Sequence, residues 1–317
     1  MESRRSVWFE LFYDLIVVAG LVNGSHLFEH SRTISLGAWL GITLVVMLVV
    51  WALTALHANL YQSDTWTTRL LILIQMFCMA IAILAIGRID DSLPDGIGFV
   101  ALAGAFLSIS LLYAISDRSR NRGEARLVIG ITAAAGVVLL AGAPFVESGS
   151  PLVEQVVFAV AALIGCVPVY WTLLGRLVRK GVVHAGRFSE RLNELLLIVM
   201  GESVVEVVIR LDGLTHIPNL PVLTAAFLVP FAIWSVYFTF IEPRGLPAGA
   251  GSMRLWFLAY YLLIFGLMAI SARLGLLVAL PWREAFSLPV FWTVLPLVYV
   301  VVALVALRKI TRPTVVG

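Results

Sequence analysis

Ten stretches of about 20 mainly apolar residues succeed one another along this 317-residue chain, and a water-soluble fold of that length has nowhere to hide them. They run approximately over Val7–Phe28, Leu36–Asn59, Leu70–Ile86, Gly96–Ser116, Leu127–Val146, Val153–Leu174, Leu192–Ile209, Val222–Ile241, Leu255–Leu280 and Leu288–Leu307. Each is long enough to cross about 30 Å of hydrocarbon as a helix. Only 13% of the residues are charged, about half the share of a soluble domain. In lipid every backbone N–H and C=O needs a partner within the spanning structure, which leaves helices or a closed barrel. Barrel strands alternate polar and apolar residues, and these stretches do not. The expectation is an all-α polytopic transmembrane bundle of about ten spans, one integral membrane domain over residues 1–317.

Charge sets the orientation. With the N-terminus inside, the cytoplasmic segments carry 17 of the 22 Lys and Arg residues. The outer segments carry four, Arg32, Arg88, Arg210 and Arg283, and Arg273 falls within a span. Basic residues collect on the cytoplasmic side, so both termini are expected there. Arg4 and Arg5 precede the first stretch without a small-residue cleavage site beyond it, which reads as a retained span. The longest cytoplasmic connection, Gly175–Arg191, is basic and reads mainly as a topogenic charge cluster, with anionic headgroups as its other partner. The basic residues sit in short connections, so nucleic acid is not an expected partner. Cys78 and Cys166 each lie inside an apolar stretch, which argues against a disulfide framework and a cysteine metal site.

Ionisable groups inside spans cost several kcal/mol and usually face the bundle interior, so they mark the candidate site. Glu10 and Asp14 open the first span four residues apart, on one helical face. His26, with Asn23, stands at its outer end, and His57, with Asn59, ends the second span near the depth of Glu10 and Asp14. Gln75 in the third span is a weaker candidate. The seventh span carries the densest signal: Glu190, Arg191 and Glu194 at its cytoplasmic end, then Glu202, Ser203 and Glu206. Glu202 lies eight residues beyond Glu194, about 12 Å further into the membrane. Arg273 in the ninth span has a depth like that of Glu206, so an intramembrane Glu206–Arg273 ion pair is a further expectation. Glu10-x-x-x-Asp14-Leu15 and Glu190-x-x-x-Glu194-Leu195 also echo each other at the openings of two spans that run outward.

These residues resemble the bacterial low temperature requirement A family. Val7-Trp8-Phe9-Glu10-Leu11-Phe12-Tyr13-Asp14-Leu15 is similar to the family's Trp-x-Glu-Leu-Phe-Phe-Asp-Leu opening, and Ser25-His26-Leu27 to its Ser-His-Leu step. Glu190-Arg191-Leu192, Leu195 to Met200 and Gly201-Glu202-Ser203 are similar to Glu-Arg-Phe-Gly-Leu, an apolar run and Leu-Gly-Glu-Ser. The resemblance implies a multi-pass protein of the bacterial inner membrane, and it extends over most of the chain. In the family a carboxylate–imidazole cluster of metal-site type is conceivable. This chain departs from that pattern at Arg187, at Thr239 after Tyr237-Phe238, and near Tyr260, so no metal is assigned and the cofactor is unknown.

Three functions fit these features. The first is proton-linked transport or conduction of an unknown solute or ion, with Glu202 as the protonatable centre. The acids Glu190, Glu194, Glu202 and Glu206 spread over roughly 160° of helix face, so other helices must complete any path. The second is an intramembrane enzyme acting on a lipid or prenyl substrate through paired carboxylates. Neither Gly-x-Ser-x-Gly nor His-Glu-x-x-His occurs, which argues against serine and zincin hydrolases. The third is a structural or regulatory membrane protein whose polar residues specify helix packing. The expected partners are membrane lipids and a small solute, a proton or a lipid substrate; an oligomer is compatible with the sequence.

Overall fold

The computed structural model describes residues 11–23, 34–61, 65–86, 96–116, 122–146, 151–173, 185–211, 219–247, 249–281 and 291–311. Among the described residues there are ten α-helices and no strand. They are α1 (Leu11–Asn23), α2 (Ile34–Tyr61), α3 (Trp66–Ile86), α4 (Ile97–Ser116), α5 (Arg122–Val146), α6 (Pro151–Pro168), α7 (Ala185–Leu211), α8 (Leu220–Phe240), α9 (Ala250–Ala279) and α10 (Phe291–Ile310). Each apolar stretch of the sequence overlaps one of them. Eight, α2 to α6 and α8 to α10, are long and apolar enough to cross a membrane. The apolar part of α7 is interrupted by Glu194, Glu202 and Glu206, and the described part of α1 is short.

The main difference from the sequence reading lies at the start of α7. Residues Ala185 to Arg191 were expected in a connection, and they are helical. Arg187, Glu190 and Arg191 interrupt the apolar pattern without opposing helix formation, since charged side chains at a span's end reach toward the interface while the backbone continues.

The chain divides into two compact units, one built on α1 to α6 and the other on α7 to α10. In the first, α2 is the central helix, with 72% of its apolar window buried against 28% for α6. Trp51, Leu53 and Tyr113 are fully enclosed there. In the second, α9 takes the central place, 72% buried against 22% for α8 and for α10. The less buried helices turn Phe77, Trp171, Phe231 and Val301 outward. An apolar exterior of this extent suits lipid and not water.

Close helix pairs form where glycine removes a side chain. A Cβ on Gly104 of α4 would stand 2.7 Å from the Cys78 sulfur of α3. One on Gly266 of α9 would stand 2.8 Å from Val300 and 3.3 Å from the Pro296 carbonyl of α10. Helix ends are fixed locally. Asn219 caps α8 by accepting from the Val222 N–H at 3.5 Å, with Pro221 in the first turn. After α8 a short turn, Glu242–Arg244, ends at Gly245 with φ 65°, a conformation that favours glycine. That turn aims Arg244 at α10, where its guanidinium donates to the Arg308 carbonyl at 2.9 Å and the Thr311 carbonyl at 3.5 Å. Cations near the last carbonyls of a helix complement its dipole. α6 closes with Pro168 and a π-helical turn, Val169–Leu173.

Gly266→Leu is expected to force α9 and α10 apart and to cost about 1–3 kcal/mol or more. Gly130→Ala, whose Cβ would meet open space, is expected to leave stability unchanged or slightly raised. Thermal unfolding of both variants in detergent checks the contrast.

Candidate functional site

The acids of the seventh helix do not share one fate. Glu190 is exposed at its start. Glu194 accepts from the Arg191 guanidinium, three residues back, at 3.2 Å. Arg191 is itself buried, with 7% of its surface exposed. Glu206 is 3% exposed and accepts from Arg210 Nε at 2.9 Å, one turn further on. Residues four apart on a helix lie one above the other, so these pairs need no second helix. Ser203 is buried and donates back to the Val199 carbonyl at 3.0 Å. Glu202 is half-buried and has no hydrogen bond or ion pair among the described residues. Gly201 beside it lines an open apolar groove of about 470 Å³ between α7 and α8, with Met200, Val204, Phe227, Phe231 and Trp234.

The start of α7 is held by aromatic residues of two other helices. Tyr237 of α8 donates its hydroxyl to Asn193 Oδ1 at 3.0 Å. Tyr260 of α9 donates to the Leu192 carbonyl, and Trp256 stacks on it with centroids 5.2 Å apart. Further along, Gly275 of α9 faces the ion pair: a Cβ there would stand 3.4 Å from Glu206 Oε1 and 3.4 Å from Arg210 Cγ. Arg273 is two residues away, about 200° around the helix, and so points elsewhere. Its Nε donates to Thr293 of α10 at 3.1 Å. The pairing recorded for Glu206 is therefore with Arg210 on its own helix, and that recorded for Arg273 is with α10.

The first unit contains a separate polar core. Asp14 is fully buried in α1 and accepts from the Trp51 indole N–H of α2 at 2.7 Å. One turn beyond Trp51, Thr54 meets Gln75 of α3, whose amide donates to Thr54 at 2.8 Å and to the Tyr13 hydroxyl at 2.9 Å. A buried polar group without a partner costs about 1–3 kcal/mol. Thr54, Gln75, Tyr13 and Asp14 Oδ1 find partners across three helices, while Asp14 Oδ2 has no hydrogen bond among the described residues. Asn23 fastens the far end of α1, donating to the Ile83 carbonyl of α3 at 2.8 Å.

His57 is 1% exposed and lies two turns beyond Trp51. Its Nε2 meets the Ser116 hydroxyl of α4 at 2.8 Å. Its ring packs on Tyr61 and Tyr113 at centroid distances of 4.9 and 5.2 Å, and the Tyr113 hydroxyl donates to the Leu53 carbonyl at 2.9 Å. His57 and Asp14 thus have different recorded partners. Glu10 and His26 lie outside the described residues. Among the described residues no three of His, Cys, Asp and Glu converge on a point that would hold a metal ion.

Sequence reading missed Trp51, Tyr237 and Ser116. An available signal was the presence of Trp and Tyr in the middle or near the ends of apolar stretches, since a buried indole N–H or phenol O–H seeks an acceptor. Arg210→Ala is expected to remove one charged partner of the buried Glu206 carboxylate and cost about 3 kcal/mol, with Glu206→Gln added to it recovering part of the loss. Thermal denaturation of the single and double variants in detergent measures this.

Comparison with known proteins adds the family. The model of the bacterial low temperature requirement A protein (LtrA) matches residues 5–316. Neither the curated proteins nor the solved structures gave a match. The matched span contains α1 to α10, including the helices that carry Asp14 and Glu202. With a family match over nearly its whole length and eight helices fit to cross a bilayer, this chain is a multi-pass membrane protein and a member of the LtrA family.

Proposed function

We propose that this protein spans the bacterial inner membrane ten times, with both termini in the cytoplasm, and carries out proton-linked transport or conduction with Glu202 as the carboxylate that takes up and releases the proton. The observation that carries the reading is the contrast along α7. Glu194 and Glu206 are each neutralised by an arginine of the same helix, and Glu202 between them has no counter-ion among the described residues. An ionisable group inside a span without a counter-ion persists where it is neutral or touches water, and such groups mark proton and ion paths. Arg191 and Arg210 each contact an acid of the same helix, which leaves Glu202 as the acid of α7 between them without a recorded partner.

A second reading is an intramembrane enzyme acting on a lipid or prenyl substrate, and the apolar groove beside Gly201 favours it. Its lining is entirely apolar and its volume is that of a small ligand site, so a hydrocarbon tail fits its chemistry.

Reconstituted liposomes distinguish the two. Proton or cation flux that disappears in Glu202→Gln, with unchanged insertion, is the expected result. Flux that persists undiminished in that variant removes Glu202 from the pathway. Flux in neither form, with a lipid that co-purifies, moves the assignment to the enzyme. The topology has its own check in a background lacking Cys78 and Cys166. Ser92→Cys is expected to react with an impermeant thiol reagent added outside, and Ser119→Cys only after permeabilisation; the reverse pattern inverts the orientation.

A further inference from the structure

The two units fasten their opening helices in the same way. In the first, α2 reaches α1 through an aromatic donor, Trp51 to Asp14, and α3 reaches it through Gln75 to Tyr13. In the second, α8 reaches α7 through an aromatic donor, Tyr237 to Asn193, and α9 reaches it through Tyr260 to Leu192. In each case the second and third helices bind adjacent residues of the first, in the same order. The spacing also agrees: 179 residues separate Asp14 from Asn193 and Tyr13 from Leu192, 186 separate Trp51 from Tyr237, and 185 separate Gln75 from Tyr260. The third and fourth helices of each unit also pack closely across a glycine, which stands on the fourth helix in the first unit, Gly104 against Cys78, and on the third in the second, Gly266 against Val300. The Glu10/Asp14 and Glu190/Glu194 echo has a spacing of 180 and pairs Asp14 with Glu194, one residue from the Asn193 that the contacts pair it with.

We propose that α1–α4 and α7–α10 are divergent copies of one four-helix motif, and that Trp51 and Gln75 position the opening of α1 as Tyr237 and Tyr260 position that of α7. The inference does not depend on the transport reading. It assigns Asp14 a role that its burial alone does not: Asp14 stands where the second copy has the neutral amide of Asn193. The clasp therefore requires an acceptor oxygen at this position, not a negative charge. Trp51 and Tyr237 are positioning residues, each setting the rotation of a helix that carries the acids of the candidate site.

The test uses the full chain in detergent and reads both the melting temperature and the hydrogen-bonding state of the Trp51 indole, taken as the difference spectrum against Trp51→Phe. Asp14→Asn is expected to melt within about 2 °C of the parent and to keep the indole signature, while Asp14→Ala loses the signature and melts several degrees lower. Trp51→Phe leaves a cavity in either background, so adding it to Asp14→Ala is expected to lower the melt by less than adding it to the parent, and Tyr237→Phe with Asn193→Ala is expected to show the same non-additivity in the second unit. Asp14→Asn falling as far as Asp14→Ala would overturn the equivalence, as would additive losses in either pair. Should Asp14→Ala fail to fold, Trp51→Phe and Tyr237→Phe alone decide: equal losses support two copies of one clasp, and a loss confined to one unit ends the proposal.

Discussion

A carboxylate surrounded by hydrocarbon has only its protein neighbours to stabilise it, and water that helps at a surface is absent. That constraint organises both units. In the second unit it is met along one helix, by arginines placed three residues before Glu194 and four residues after Glu206. In the first it is met between helices, by the indole of Trp51 reaching Asp14. The two solutions have different consequences. An acid paired on its own helix keeps its partner when that helix shifts. An acid paired across helices ties the position of one helix to the other. Glu202 follows neither pattern, which separates it from the other acids of the span.

Much of the fold was legible because lipid imposes a length on every crossing. Ten apolar stretches became ten helices, with ends displaced by a few residues. The displacement was largest at α7, where Arg187, Glu190 and Arg191 look like a connection in the sequence and are helical in fact. Hydropathy reports where hydrocarbon begins, and a helix has no reason to stop there.

The candidate site was legible in its residues and much less in its pairings. Glu206 and Arg210 satisfy the four-residue rule and could have been paired from sequence, a contact that matching depths across helices does not reveal. Depth carries no information about which way a side chain turns, and it is Gly275 that α9 presents to Glu206. Trp51 and Asp14 lie 37 residues apart on different helices, and no periodicity relates them. His57 illustrates the same limit, since its serine partner comes from α4, 59 residues on.

The two glycines of α9 have a joint mechanical meaning. Gly266 and Gly275 are nine residues apart, which places them on opposite sides of the helix at 100° per residue. One gap admits α10 and the other admits the Glu206–Arg210 pair of α7. Gly266 is the tight fit, since a Cβ there would come 2.8 Å from Val300, while Gly275 lies at ordinary contact distance from the ion pair. Turning α9 by even one residue swings a larger side chain into each gap at once, so α7 and α10 both meet the same rotation.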